Sequence, residues 1–267
     1  MTERNTLELP SALSHFYRIW SGCDARRVAV FLDYDGTLTP IVARPEAALL
    51  PANMKEALRL LAARATVAVI SGRDLDEVRN LVGLENICYA GSHGFEIHRP
   101  SDGRMELEEG RAFLPDLDAA EKDLAARLDG IEGSQVERKK YALAVHYRRV
   151  RPGDEEKVLR IFDEVASSHP RLHTSGGKKV CELRPAVDWH KGKAVVWLLQ
   201  ALGLDRPGVL PIYIGDDLTD EDAFRVMAQR GVGIVVRDGE PRPTAARLAL
   251  NDTEEVRRFL ETLAVIL

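Results

Sequence analysis

The chain alternates between short, continuously apolar runs and longer stretches in which apolar residues recur every three or four positions. Val28-Ala29-Val30-Phe31-Leu32 is apolar at every position and stops at the polar turn Asp33-Tyr34-Asp35-Gly36, which predicts a strand buried on both faces. From 52 to 63, Met54, Leu58 and Leu61 keep helical spacing; Thr66–Ile70 then reads as a second buried strand ending at Ser71-Gly72-Arg73. A helix over 74–81 and a third strand over 87–90, running into Gly91-Ser92-His93-Gly94, continue the rhythm. Strand and helix in strict alternation predict an α/β fold, a parallel sheet joined by crossover helices.

The middle of the chain changes rhythm. A helical pattern over 114–128 is followed by strand-like runs at 134–138 and 141–147, a second amphipathic helix over 154–166, and strands at 171–174 and 180–183 around Ser175-Gly176-Gly177. Helix, strand, strand, helix, strand, strand describes a small α+β layer with its own sheet. The first rhythm then resumes, with helices at 193–202, 220–228 and 253–267 around strands at 209–214 and 232–236. The expected organisation is therefore one core built from 1–106 and 185–267, with 107–184 inserted as a second domain.

Composition narrows the partners. The 45% hydrophobic and 30% charged fractions are those of an ordinary globular chain rather than a disordered one. The net charge of −5 comes from interspersed acids and bases, so no basic stripe is available for a nucleic-acid backbone. The N-terminal stretch lacks a basic region followed by an apolar core, and no apolar run approaches the ~20 residues that span a bilayer. No membrane partner is expected. Cys23, Cys88 and Cys181 are scattered, without CxxC spacing, which suits a reducing cytoplasm and argues against a disulfide framework or thiolate zinc site.

Chemistry concentrates where predicted strands end, the edge at which open parallel sheets bind ligands. Asp33 and Asp35 follow the first strand, and two carboxylates there can divide labour between attack or metal binding and proton transfer. Gly36 allows a turn sharp enough to leave amides free for a phosphate oxygen, although an ordinary Asp-Gly turn would look the same. A calcium loop would place its glycine later and add a distal Glu. Gly215-Asp216-Asp217-Leu218-Thr219-Asp220-Glu221-Asp222 follows another strand, and its five acids repel one another unless a cation sits nearby. Some of those acids also suit a helix N-terminus. Magnesium, which takes hard oxygens and phosphate, is the natural ion. Ser71 could bind phosphate or cap a helix, and Lys191 or Lys193 could face the phosphoryl group or solvent.

Asp33-Tyr-Asp-Gly-Thr37, Ser71-Gly-Arg73, Lys191-Gly192 and Gly215-Asp-Asp-Leu-Thr-Asp-Glu-Asp222 resemble, in order and spacing, the signature motifs of the haloacid-dehalogenase-like (HAD) phosphatases. The resemblance implies a Rossmann-like core with a C2-type cap, Asp33 as nucleophile, Asp35 as general acid and base, Ser71 on the phosphate and Lys191 as charge stabiliser. It also implies Mg²⁺ held by Asp33, the Asp35 carbonyl and Asp216, supported by Asp217 and Asp220, with Gly36, Thr37, Gly72 and Arg73 around the phosphate.

Within that superfamily, Gly91-Ser-His-Gly94, Glu137 with Val145-His-Tyr-Arg148, and Gly177-Lys-Lys-Val-Cys-Glu-Leu-Arg-Pro185 look most like the trehalose-6-phosphate phosphatase family. That likeness implies hydrolysis of trehalose 6-phosphate in trehalose biosynthesis by a monomer, with Glu137, Arg148, Lys178 and Glu182 on sugar hydroxyls and His93 near the substrate. Cross-strand salt bridging is the competing reading of those charges, and His146 and His190 read as structural. Sister phosphatases of sucrose phosphate, mannosyl-3-phosphoglycerate or monosaccharide phosphates, a phospho-receiver module and a non-catalytic sugar-phosphate-binding regulator are the alternatives.

Overall fold

The first buried run forms β1 (Arg27–Leu32), whose alternate side chains enter two different cores: Val28, Val30 and Leu32 on one face, Ala29 and Phe31 on the other. A strand apolar on both faces has to lie between two helical layers. The computed structural model, which describes residues 4–16, 27–42, 44–101, 103–106, 108–177 and 179–267, supplies both layers. By its contacts the chain divides into two compact units, residues 1–104 with 189–267, and residues 105–188.

In the first unit β1 is followed by α1 (Ala52–Ala62), β2 (Thr66–Ile70), α2 (Leu75–Val82), β3 (Cys88–Gly91), β4 (Glu96–Arg99) and β5 (Gly103–Glu106). In the second come α3 (Leu114–Leu128), β6 (Gln135–Lys139), β7 (Ala142–His146), α4 (Glu155–Ser168), β8 (Leu172–Gly177) and β9 (Val180–Pro185). The first unit resumes with α5 (Lys191–Ala201), β10 (Val209–Gly215), α6 (Glu221–Arg230), β11 (Val232–Val236), β12 (Leu248–Leu250) and α7 (Thr253–Ile266).

The large sheet has the order β12-β11-β10-β1-β2-β3-β4-β5. Pairing is parallel from β12 to β3, and β4 runs antiparallel to β3. Chain order climbs away from β1 on one side, through β2 and β3, and away from β10 on the other. The β1/β10 boundary is thus a topological switch point, where a crevice opens beyond the strand ends. Leu58, Leu61, Val78, Phe259 and Leu260 from α1, α2 and α7 seal one face; Val195, Leu198, Phe224 and Met227 from α5 and α6 seal the other. This is the α/β class that strand–helix alternation predicts. Three strands of this sheet escaped the pattern: β4 and β5 are short and largely polar, and β12 is only Leu248-Ala249-Leu250.

The second unit has a four-stranded antiparallel sheet of order β6-β7-β9-β8. Leu143, Val145 and Leu183 face Leu117, Leu124, Val158, Phe162 and Val165 of α3 and α4 in a separate core. Among the described residues no helix is long and apolar enough to cross a membrane.

Candidate active site

β1 and β10 lie side by side with Leu32 opposite Ile214, so the turns that follow them leave the sheet together. The Asp33 N–H donates to the Ile214 carbonyl at 2.9 Å. Asp33, Asp216 and Asp220 each bring a carboxylate oxygen within 4.8 Å of the others, although 183 positions separate Asp33 from Asp216 in sequence number (216 less 33). All three are buried. Lys191 lies at the first position of α5, two residues earlier than the hydrophobic spacing predicts for that helix, and is only 3% exposed. Its Nζ donates to Asp33 Oδ1 and to Asp220 Oδ1, both at 2.7 Å. A Cβ on Gly192 would stand 2.5 Å from the Asp222 carbonyl oxygen, so glycine lets α5 approach close enough to deliver Lys191.

The carboxylates differ in their surroundings. Burial pushes Asp33 up to about 7 in the metal-free protein, against the pull of Lys191. Asp216 is driven well above the ordinary carboxylate range by burial first and then by the charges of Asp33, Asp220 and Asp217. Asp220 goes the other way: burial opposes its charge, but Lys191 and its hydrogen bonds outweigh that and hold it low. Lys191 is likewise held protonated by Asp220 and Asp33 despite its burial.

Asp220 is saturated. Its Oδ1 accepts from Lys191 and from the Tyr213 hydroxyl at 2.6 Å, and its Oδ2 accepts the N–H groups of Asp216 and Asp217 at 3.0 and 2.9 Å. It braces the acidic turn and Lys191, and its lone pairs are already committed. Asp217 is exposed, and its carboxylate accepts from the Leu218 N–H at 2.6 Å in its own turn. Asp216 is different: its Oδ1 is buried and has no hydrogen-bond partner. A buried carboxylate oxygen without a donor, beside a second raised carboxylate, fits a divalent cation. All-oxygen, carboxylate-rich donors suit Mg²⁺, with Asp33 and Asp216 as the side chains that fit it.

The Asp33 turn is shaped around this cluster. Gly36 has φ +83°, and a Cβ there would fall 2.1 Å from Asp216 Oδ2. Gly36→Ala is expected to cost about 1–2 kcal/mol in left-handed strain alone and to push Asp216 aside. Turnover at the site should fall more than tenfold, and unchanged turnover with an unchanged melting temperature would show that the turn is not under this constraint. Thr37 is fully buried with its hydroxyl unpartnered, one turn from Asp33.

On the other flank of β1, Ser71 follows β2. Helix α2 starts at Leu75 with Asp74 in the N-cap position, so Ser71 is not its cap. Instead the Arg73 N–H donates to Ser71 Oγ at 3.1 Å and the His93 N–H donates to the Ser71 carbonyl at 2.8 Å. Ser92 and His93 have φ of +50° and +58°, a left-handed pair without glycine, and such strain gathers at functional sites. The fold puts the buried His93 ring where a Cβ on Gly72 would stand, 2.9 Å from its Cε1 and Nε2. Arg73, taken from sequence as a phosphate group ligand, instead grips Asp35 in a bidentate pair. His190 stands at the N-cap position of α5, its ring 3.7 Å from Asp222, while Lys193 sits two residues past Lys191 on α5.

In the second unit, Glu137 and Glu182 flank the small Ala144 from opposite sides, in register across β6, β7 and β9. His146 Nε2 and Glu137 Oε2 are 2.6 Å apart, a contact that holds Glu137 below its usual range. Lys139 Nζ donates to Glu182 Oε1 at 3.1 Å. Arg148 is exposed in the turn after β7, and Lys178 lies outside the described residues. Sequence reasoning passed over Lys139 and Tyr213. The Glu137-x-Lys139 spacing, which puts both on one strand face, was the available signal for the first; Tyr213 sits inside an apolar strand and gave none.

The family model for trehalose-phosphatase matches residues 31–254. A Zea mays protein named Trehalose 6-phosphate phosphatase RA3 is 40% identical over 269 residues, covering 96% of this chain and 74% of its own length. Among solved structures, the C-terminal domain of the Candida albicans trehalose-6-phosphate phosphatase superposes with a TM-score of 0.81 at 24% identity, over 96% of this chain and 98% of that one. A haloacid dehalogenase-like hydrolase from Bacteroides thetaiotaomicron superposes with a TM-score of 0.62 at 17% identity, over 90% and 99% of the two chains, and both likenesses show the shared fold. The family match spans both acidic turns, Ser71 and Lys191, and with the maize relative it establishes that this chain belongs to the trehalose-phosphatase family.

Proposed function

We propose that this chain hydrolyses trehalose 6-phosphate to trehalose and phosphate through an aspartyl-phosphate on Asp33, as a step of trehalose biosynthesis. The observation that carries the reading is the meeting of Asp33, Asp216 and Lys191 at the switch point of the sheet, within a family-matched stretch. Lys191 fixes Asp33 Oδ1, and Oδ2 attacks phosphorus in line as the bond to the sugar oxygen breaks. Asp35 gives its proton to the departing sugar oxygen. It then takes a proton from water as the water oxygen attacks phosphorus and the Asp33 acyl phosphate breaks, releasing phosphate. Ser71, the Thr37 hydroxyl and the Gly72 amide bind the phosphoryl oxygens; Gly36, expected from sequence to offer its amide there, instead donates its N–H to the Thr39 carbonyl at 2.8 Å and serves the phosphate by shaping the turn. Asp33, the Asp35 carbonyl and Asp216 would hold Mg²⁺, which offsets negative charge on the phosphoryl group when bound. Asp217 and Asp220 would support the metal from nearby, Asp220 by bracing the acidic turn through the Asp216 and Asp217 amides and by holding Lys191.

The inserted segment expected from sequence, 107–184, which falls within the second unit, is read as the specificity domain. Glu137, Arg148, Lys178 and Glu182 take the sugar hydroxyls by charge-assisted hydrogen bonds, and His93 lies by the substrate in the core. A cytoplasmic setting and a monomeric working state complete the reading.

A panel of sugar phosphates assayed for released phosphate tests the substrate. Trehalose 6-phosphate should exceed sucrose phosphate, mannosyl-3-phosphoglycerate and glucose 6-phosphate by at least 10²-fold in kcat/KM, because a site built to bond hydroxyls rejects ligands that leave its polar groups unpaired. A flat profile would leave the chemistry standing and remove the specificity.

A further inference from the structure

Among the described residues, Arg73 holds the Asp35 carboxylate. Arg73 Nε donates to Asp35 Oδ2 and Arg73 Nη2 to Asp35 Oδ1, both at 2.8 Å, the parallel fork that guanidinium and carboxylate form best. The Asp35 side chain is 42% exposed, whereas that of Arg73 is only 7% exposed. The rigid member of the pair is therefore the arginine.

Further contacts keep it so. Arg73 Nη1 donates to Glu77 Oε1, one turn along α2. The guanidinium lies over the Tyr34 ring, 5.4 Å from its centroid. Tyr34 is itself fully buried, and its hydroxyl donates to the Ala48 carbonyl at 2.8 Å. The Arg73 backbone is pinned at both ends, its N–H to Ser71 Oγ at 3.1 Å and its carbonyl by the Ser92 N–H at 2.7 Å. A buried cation with its donors turned toward two carboxylates and its face on an aromatic ring is poorly placed to receive a phosphate. It is well placed to fix a neighbour.

From this geometry we infer that Arg73 is a positioning residue that acts through Asp35, holding the carboxylate in place for its two proton transfers, rather than a ligand of the substrate. The inference rests on Asp35 being the proton-transfer group of the proposed reaction. When Asp35 carries a proton, one oxygen keeps its bond to the guanidinium while the other meets the sugar oxygen. When it takes a proton from water, the same hold returns it to the line of attack. Tyr34 and Glu77 matter only as the mount for Arg73.

A double-mutant cycle separates this role from substrate binding. Arg73→Met, Asp35→Asn and the double variant are compared with wild type on trehalose 6-phosphate and on p-nitrophenyl phosphate. Arg73→Met should lower kcat on trehalose 6-phosphate by about 10²–10³-fold, within the range that general acid–base catalysis supplies, with KM changed less than threefold. In the Asp35→Asn background the same change should cost less than threefold. The loss on p-nitrophenyl phosphate, whose leaving group needs no proton, should be at least tenfold smaller than on the sugar phosphate. Arg73→Lys keeps the charge without the fork and should recover part of kcat, and Glu77→Gln should lower kcat in the same direction by less. If Arg73→Met does not fold, by circular dichroism, those last two variants carry the test on their own. A rise in KM at constant kcat, or an equal loss with and without Asp35, would overturn the proposal. Failure of wild type on trehalose 6-phosphate alone would fault the substrate reading, and the cycle would then be read on whichever sugar phosphate of the panel is hydrolysed, whose leaving oxygen likewise needs a proton.

Discussion

Replacing Asp33 by Asn is expected to lower turnover by about 10⁴-fold or more, as removal of a nucleophile does in other two-step hydrolases, while the chain still folds. The amide nitrogen that replaces Oδ2 cannot attack phosphorus, and the amide oxygen can still accept from Lys191. The fold has little to lose. Asp33 is buried and raised to about 7, so its charge is already a burden on the metal-free state. Lys191 keeps its second acceptor, Asp220, at 2.7 Å. The expected result is therefore loss of phosphate release with a melting temperature equal to or above that of wild type. Lys191→Ala should behave oppositely in stability, since it leaves Asp33 and Asp220 buried without their shared cation. Near-normal turnover by the Asp33→Asn protein would remove Asp33 as the nucleophile.

The α/β core was legible because its strands are buried on both faces and therefore read as unbroken apolar runs, as Val28–Leu32 and Val209–Ile214 do. Both acidic turns announced themselves by breaking such runs. The sequence could not show that Asp220 spends both oxygens on Lys191, Tyr213 and two backbone amides, because those partners come from β10 and α5. Five acids in one turn look alike until their donors are in place; only then does Asp216 stand out by its unpartnered Oδ1. Arg73 shows the same limit. Beside Ser71 and Gly72 it reads as part of a phosphate loop, and only the approach of β1 to β2 turns it onto Asp35. Helix α5 began two residues earlier than its apolar spacing suggested, since glycine at 192 is chosen for close packing rather than helix propensity.

Divalent cation and protons should compete for the same two carboxylates, which makes pH the sharpest probe of the proposed metal site. In the metal-free protein Asp33 is raised to about 7 from 3.8, and Asp216 is raised well above its ordinary range by burial and its acidic neighbours. Between 3.8 and 7 the folded chain thus binds more protons at these positions than the unfolded chain does. Stability contributed here is greatest at low pH and is lost as pH rises through the folded values, since the slope follows protons bound in the unfolded less the folded state. Asp220, held low, runs the other way and matters only as pH falls below the ordinary carboxylate range. A bound cation favours the ionised carboxylates and cancels the loss.

The thermal shift produced by Mg²⁺ should accordingly be small at pH 5 and grow to pH 8, with affinity weakening about tenfold per pH unit for each proton displaced. Chelation should reduce turnover by about 10³-fold or more, given the several kcal/mol a catalytic cation supplies, and added Mg²⁺ should restore it. Asp216→Asn gives the internal control: without metal it should melt higher than wild type at pH 8, yet show no Mg²⁺-dependent shift and little activity. Titration calorimetry in buffers of different ionisation enthalpy reads the displaced protons directly. A Mg²⁺ shift independent of pH, or one retained by Asp216→Asn, would mean that the ion binds elsewhere and that the raised carboxylates at the switch point serve the phosphoryl group without it.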